Sequence, residues 1–136
     1  MTLETLIRFG GVFHLSLLIA GTLAARVLDW KHELHRLCPL SRHMIWTHGA
    51  FIVMTIIAFG VISLFNAGEL AAGAATARWF CGFVATFWIT RLFVQFFLFD
   101  PKPHLTHPVL TIGYHTLTVV FTYLAAVYGY AALARL

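Results

Sequence analysis

Charge is what this sequence has least of. Aspartate, glutamate, lysine and arginine make up 10% of its 136 residues while hydrophobic residues make up 60%, and the mean hydropathy is +0.85. Soluble domains carry roughly a quarter charged residues, and a small chain leaves much of its surface in water. The composition therefore excludes a soluble globular fold. Acids are the scarcest charge: Glu4, Asp29, Glu33, Glu69 and Asp100 are the full set. None lies deep in an apolar run, which argues against a carboxylate proton relay. Two cysteines, Cys38 and Cys81, do not make a disulfide scaffold. Glycine-rich phosphate loops, a serine nucleophile elbow, Cys-x-x-Cys and the Cys-x-x-Cys-His haem-attachment sequence are all missing. The N-terminus has no basic leader or small-residue cleavage site, so its first apolar run is expected to be retained. No internal repeat or low-complexity tract marks a second domain.

What the chain does have is four apolar runs, at about 6–28, 43–65, 77–99 and 109–133. About 20 apolar residues suffice to cross a bilayer. The expected fold is an all-α integral membrane protein, an antiparallel bundle of four transmembrane helices forming one domain over residues 1–136. In the first link Trp30, Leu34 and Leu37 share a helical side and are expected to lie in the membrane interface until Pro39 ends that segment. The second link, 66–76, is rich in glycine and alanine. The third holds Pro101, Pro103 and Pro108, which favour extended backbone.

The formal charge of +4 comes from basic residues that flank the runs, so it reads as a topology signal and not as a nucleic-acid patch. Arg26, Lys31, Arg36, Arg42 and Lys102 fall on the first and third links, and Arg8, Arg78 and Arg135 on the opposite face. By the positive-inside rule both termini lie outside, here across a bacterial inner membrane. Cys38 and Cys81 then sit near opposite faces, too far apart to bridge. Trp30, Trp46, Trp79 and Tyr130 fall where interfacial aromatics collect.

Polar residues inside the runs carry the functional expectation, since such groups turn away from lipid. The fourth run repeats Thr111, His115, Thr118, Thr122 and Ala125 at helical spacing. The second places His48, Ile52, Thr55, Phe59 and Asn66 on one side. His48 and His115 lie at similar depth, roughly 8 and 10 Å inside. Two inward imidazoles on separate helices suit bis-histidine ligation of haem b, with Gly49 and Gly113 leaving room for a flat macrocycle. Arg91 is the most costly residue to bury, and it shares a face with Val84, Trp88 and Gln95. From the same depth it would hold both histidines neutral and pair with a propionate, a quinone oxygen or a lipid carboxylate. Thr55, Gln95, Thr111 and Thr118 complete the expected pocket. His14, among Gly10, Gly11, Gly21 and Ala25, is either a further cofactor contact or an imidazole tied to a neighbouring helix.

The lead expectation is thus a b-type haem or quinone-linked redox protein, working with other membrane subunits or as a homo-oligomer. Its likeness to four-helix membrane cytochromes b is architectural. A second expectation is a non-catalytic membrane subunit whose histidines and arginine pack helices or hold lipid. A third is a histidine-metal enzyme with non-haem iron or zinc on His32, His35, His43, His104 and His107. That set resembles the histidine boxes of membrane di-iron desaturases and hydroxylases. It departs from them in having no adjacent histidines, and in the roughly 140° that separates His43 from His48 round a helix.

Overall fold

The computed structural model describes residues 1–103 and 105–134, and no strand occurs among them. Helix α1 spans Leu3–Val27, α2 Trp30–His35, α3 Pro39–Phe65, α4 Ala67–Ala72, α5 Ala75–Phe93 and α6 Pro108–Leu133. A π-helical turn, Val94–Leu98, continues α5. Among the described residues four helices are long and apolar enough to cross a membrane: α1, α3, α5 with its π turn, and α6.

Local chemistry fixes most of the boundaries. Thr2 caps α1, its Oγ1 accepting from the Thr5 amide at 3.3 Å. Pro39 and Pro108 stand at the starts of α3 and α6, where the missing N–H costs nothing and the fixed φ already suits a helix. This corrects the expectation that Pro39 is a stop: it opens α3, which therefore starts four residues before His43. The short helix of the first link ends instead at His35. Asp29 at φ 48° and Gly73 at φ 78° make the two sharp reversals. Aspartate and glycine are among the residues that tolerate this left-handed region.

The most extensive seam joins α5 to α6, followed by those of α1 with α3 and α1 with α6. Along the first, Cβ atoms added at Gly82 and Gly129 would lie 3.9 Å from Ala132 and 4.0 Å from Ala85. Arg78 Nε donates to the Ala132 carbonyl at 3.1 Å, and Gln95 Nε2 donates to Thr118 Oγ1 at 2.6 Å. Position along α5 thus rises as position along α6 falls. Helices α3 and α6 share no packed seam.

Burial is uneven along the bundle. Buried residues of α1 end at Leu17, those of α3 begin at Phe59, and those of α6 begin at Phe121. The closed core thus occupies the half that carries α4. The other half leaves large apolar side chains uncovered, among them Phe51 at 60%, Ile112 at 67% and Phe97 at 74% exposure. Apolar surface on this scale far exceeds the patches a soluble monomer shows.

Helices α1 and α3 approach most closely at two glycines. A Cβ at Gly11 would stand 2.7 Å from Leu64 Cγ and 3.1 Å from the Gly60 carbonyl, whereas one at Gly21 would meet open space. Gly11→Ala is therefore expected to destabilise the protein by about 1–3 kcal/mol through overpacking, while Gly21→Ala changes little. Unfolding in detergent, followed by circular dichroism, reads the difference.

Candidate functional site

The closed half of the bundle is built around one imidazole. His14 stands at 0% exposure on α1, its ring 5.6 Å from Phe59, 5.5 Å from Trp88 and 5.6 Å from Tyr128, centroid to centroid. One residue from each of α3, α5 and α6 thus faces it. Trp88 Nε1 lies 2.9 Å from His14 Nε2, and His14 Nδ1 lies 2.7 Å from the Gly10 carbonyl oxygen. Indole N–H can only donate, so Nε2 is the acceptor. The ring proton of the neutral imidazole is then on Nδ1 and is donated to Gly10. Both nitrogens are used within the chain, and the tautomer is fixed by the tryptophan.

The neighbouring polar groups are satisfied in the same way. Tyr128 Oη donates to Ser63 Oγ at 2.5 Å, linking α6 to α3. Gly10 leaves the Tyr128 ring its place, for a Cβ there would lie 3.0 Å from both Cε2 and the hydroxyl. Tyr123 Oη donates to the Leu6 carbonyl at 2.9 Å, tying α6 to α1. Among the described residues no buried side-chain nitrogen or oxygen lacks a hydrogen-bond partner. A second layer of rings encloses this core: Trp88 stacks on Phe121 with centroids 4.9 Å apart, and Phe59 meets Phe80, Phe83 and Phe87 edge-on.

The residues expected to hold a cofactor are differently placed. His48 and His115 are both exposed, on the two helices that share no seam. His48 Nδ1 donates to the Met44 carbonyl of its own helix at 2.7 Å. His115 makes an edge contact with the adjacent Tyr114 ring. Thr55 donates to the Phe51 carbonyl at 2.8 Å, and Thr111 is 3.4 Å from the His107 carbonyl, so both point their hydroxyls back along their own helices. The expected face of α6 is rotated out of the core, whose α6 side is Phe121, Leu124, Val127, Tyr128 and Ala131. On α3, Phe59 is buried as expected, but Ile52 on the same stripe is exposed.

Two expectations do meet in space. Gln95, buried in the π turn, donates to Thr118, which donates in turn to the Tyr114 carbonyl at 2.8 Å. Val84, Trp88 and Gln95 are all buried on one side of α5. Arg91 stands at the edge of that side and is exposed. Its guanidinium carbon lies 5.4 Å from the centre of the Phe121 ring. Phe121 is six positions beyond His115 on α6, about 9 Å further along at 1.5 Å per residue, so Arg91 and His115 do not share a level.

The surface histidines also remain apart. His32 lies 4.0 Å from Glu33, His35 Nδ1 lies 3.4 Å from Arg42 Nη1, and His107 caps α6 by accepting from the Val109 amide at 3.2 Å. His43 is exposed, and His104 lies outside the described residues. No group of three histidine, cysteine, aspartate or glutamate side chains with metal-holding geometry occurs among the described residues. The cysteines are free, Cys38 exposed and Cys81 buried.

Trp88 is the functional partner that sequence reading left unassigned. One signal did point to it: Trp30, Trp46 and Trp79 lie near helix ends and are 49%, 60% and 81% exposed, whereas Trp88 sits mid-helix at 2%. A buried tryptophan needs an acceptor, and His14 is the polar group at matching depth.

The chain matches no family model, no curated protein and no solved structure.

Trp88→Phe keeps the ring stack and removes the one donor to His14 Nε2 among the described residues. A buried acceptor left unsatisfied costs about 1–3 kcal/mol, and His14→Phe added to Trp88→Phe is expected to recover part of that loss. A double-mutant cycle on unfolding in detergent measures the coupling, and additive losses would refute the pairing.

Proposed function

We propose that the chain is an antiparallel four-span membrane bundle serving as a non-catalytic component of a larger membrane assembly, its intramembrane polar residues packing helices and holding lipid. The observation that carries this reading is the bonding of His14. His14, the one imidazole fully enclosed among the described residues, spends both nitrogens inside the chain, which is a structural assignment and not a ligand's. The exposed apolar surface of the opposite half suits lipid or partner helices. The competing reading, a b-type haem or quinone-linked redox protein, needs His48 and His115 to converge. Both are exposed here, on helices without an extensive mutual seam, which favours the packing reading.

An absorption spectrum with metal analysis of the purified protein separates the two. The expected result is a colourless protein of intact helical content. A Soret band lost in His48→Ala and in His115→Ala would overturn it.

We also assign the first and third links to the cytoplasmic side of a bacterial inner membrane, on the basic residues they carry. Cys38 tests the orientation. Its exposed thiol is held below the usual range by hydrogen bonding from Ser41, with Sγ 3.1 Å from Oγ. More thiolate is therefore present at a given pH, so Cys38 is expected to alkylate at lower pH than an ordinary thiol. An impermeant maleimide is expected to label Cys38 in inverted vesicles and not in intact cells, while buried Cys81 stays unlabelled in both. Labelling of Cys38 in intact cells would reverse the topology.

A further inference from the structure

Arg91 is a cation set well inside a long apolar helix, and no carboxylate pairs with it among the described residues. Among the described residues the ion pairs are Arg8 with Glu4, His32 with Glu33 and Arg36 with Glu33, all on exposed side chains. No carboxylate lies beyond the first turn of a spanning helix. The guanidinium meets one aromatic ring, Phe121, on its bundle side. That contact also fixes its level, since the head stays beside Phe121 instead of reaching for the nearer link. Seven residues separate Arg91 from Leu98, the last of the π turn, which sets it about 10 Å inside the helix end. A cation at that depth in hydrocarbon calls for an anionic partner.

On its other side Arg91 lines a cleft of about 610 Å³ with Phe83, Thr86, Phe87, Thr90 and Val94. This volume falls in the range that holds one small ligand. Phe99, just past the π turn, completes the lining, and the rest come from α5 and that turn, so no α3 residue walls the cleft. Phe59 of α3 meets Phe83 and Phe87 edge-on. The cleft is therefore an apolar trough with a single charge towards its interfacial end. Phe83 and Phe87 extend it for about 12 Å below Arg91 at 1.5 Å per residue. The Thr86 hydroxyl is spent on the Gly82 carbonyl at 2.8 Å. The Thr90 hydroxyl makes no hydrogen bond among the described residues, which leaves a second donor beside the guanidinium.

We propose that this trough binds a single-chain fatty carboxylate, its head on Arg91 and Thr90 and its chain along Phe87 and Phe83. The proposal rests on the lipid-holding role given above. A guanidinium takes a carboxylate through two parallel N–H···O bonds, and the phenylalanine walls suit an alkyl chain. A fatty carboxylate brings one chain, which a trough lined by a single helix and its extension can take, whereas a phospholipid brings two.

The test is a titration of the full-length protein, purified in a non-ionic detergent, with radiolabelled palmitate. Saturable binding near one palmitate per chain is expected, weakened at least tenfold in Arg91→Gln and partly kept in Arg91→Lys. Val94→Trp, which fills the trough and leaves Arg91 in place, is expected to abolish binding with helical content unchanged. Hexadecanol is expected to compete poorly. Equal binding by Arg91→Gln and wild type would overturn the proposal, as would equal competition by hexadecanol, or displacement by phosphatidylglycerol at the same concentration as by palmitate. A colourless protein that binds no palmitate ends this proposal and leaves the packing role of the bundle standing. A haem spectrum ends that role instead, and with it the lipid-holding reading on which this site rests.

Discussion

A polar atom enclosed by hydrocarbon has no water to return to, so each must find its partner within the protein or turn back along its own helix. The hydrogen bond from Trp88 to His14 is where this constraint bears hardest. It crosses the centre of the bundle, sets the tautomer of the imidazole and positions it for the rings of Phe59 and Tyr128. Glycine at position 10 follows from it, since any side chain there would strike Tyr128. So does the Tyr128 bond to Ser63, which gives the hydroxyl a partner once the ring is enclosed.

The two halves of the bundle are governed by different physics. In the closed half, small residues bring backbones together, and polar side chains tie one helix to another. Transmembrane helices gain little from hydrophobic burial against each other, so close packing and such ties take over that role. On the exposed faces, hydroxyls bond to carbonyls one turn back on their own helices, as Thr55, Thr86 and Thr122 do. A threonine satisfied in this way can face lipid at small cost, so intramembrane polarity alone does not mark an inward face. Arg91 lies near the boundary between the halves. With no carboxylate in reach, its setting is best understood by what could bring it a negative charge.

Four helices long and apolar enough to span a membrane were legible because length and apolarity are one-dimensional properties of the sequence. The small-residue stripe of α1 was readable for a related reason, since Gly10, Gly11 and His14 recur at helical spacing and do enter the core. Pro39 was misread because proline ends a preceding helix and opens the next one equally well. On the expected polar face of α6, Thr118 meets Gln95 while His115 and Thr122 are exposed, because periodicity identifies a stripe without stating which way the helix is turned. There Phe121, Leu124 and Tyr128 offered more to pack than His115 and Thr122.

By itself the sequence determined that the chain is helical, that four of its helices are long and apolar enough to span a membrane, and where each begins to within a few residues. Those properties follow from composition, proline placement and local periodicity. Only tertiary structure decided which histidine is enclosed and which are exposed. It also brought Trp88 and His14 together across 74 positions and left Arg91 at the mouth of an apolar trough. Such pairings depend on how each helix is rotated and which neighbours it meets, and a sum over all contacts settles that, not any residue's own preference.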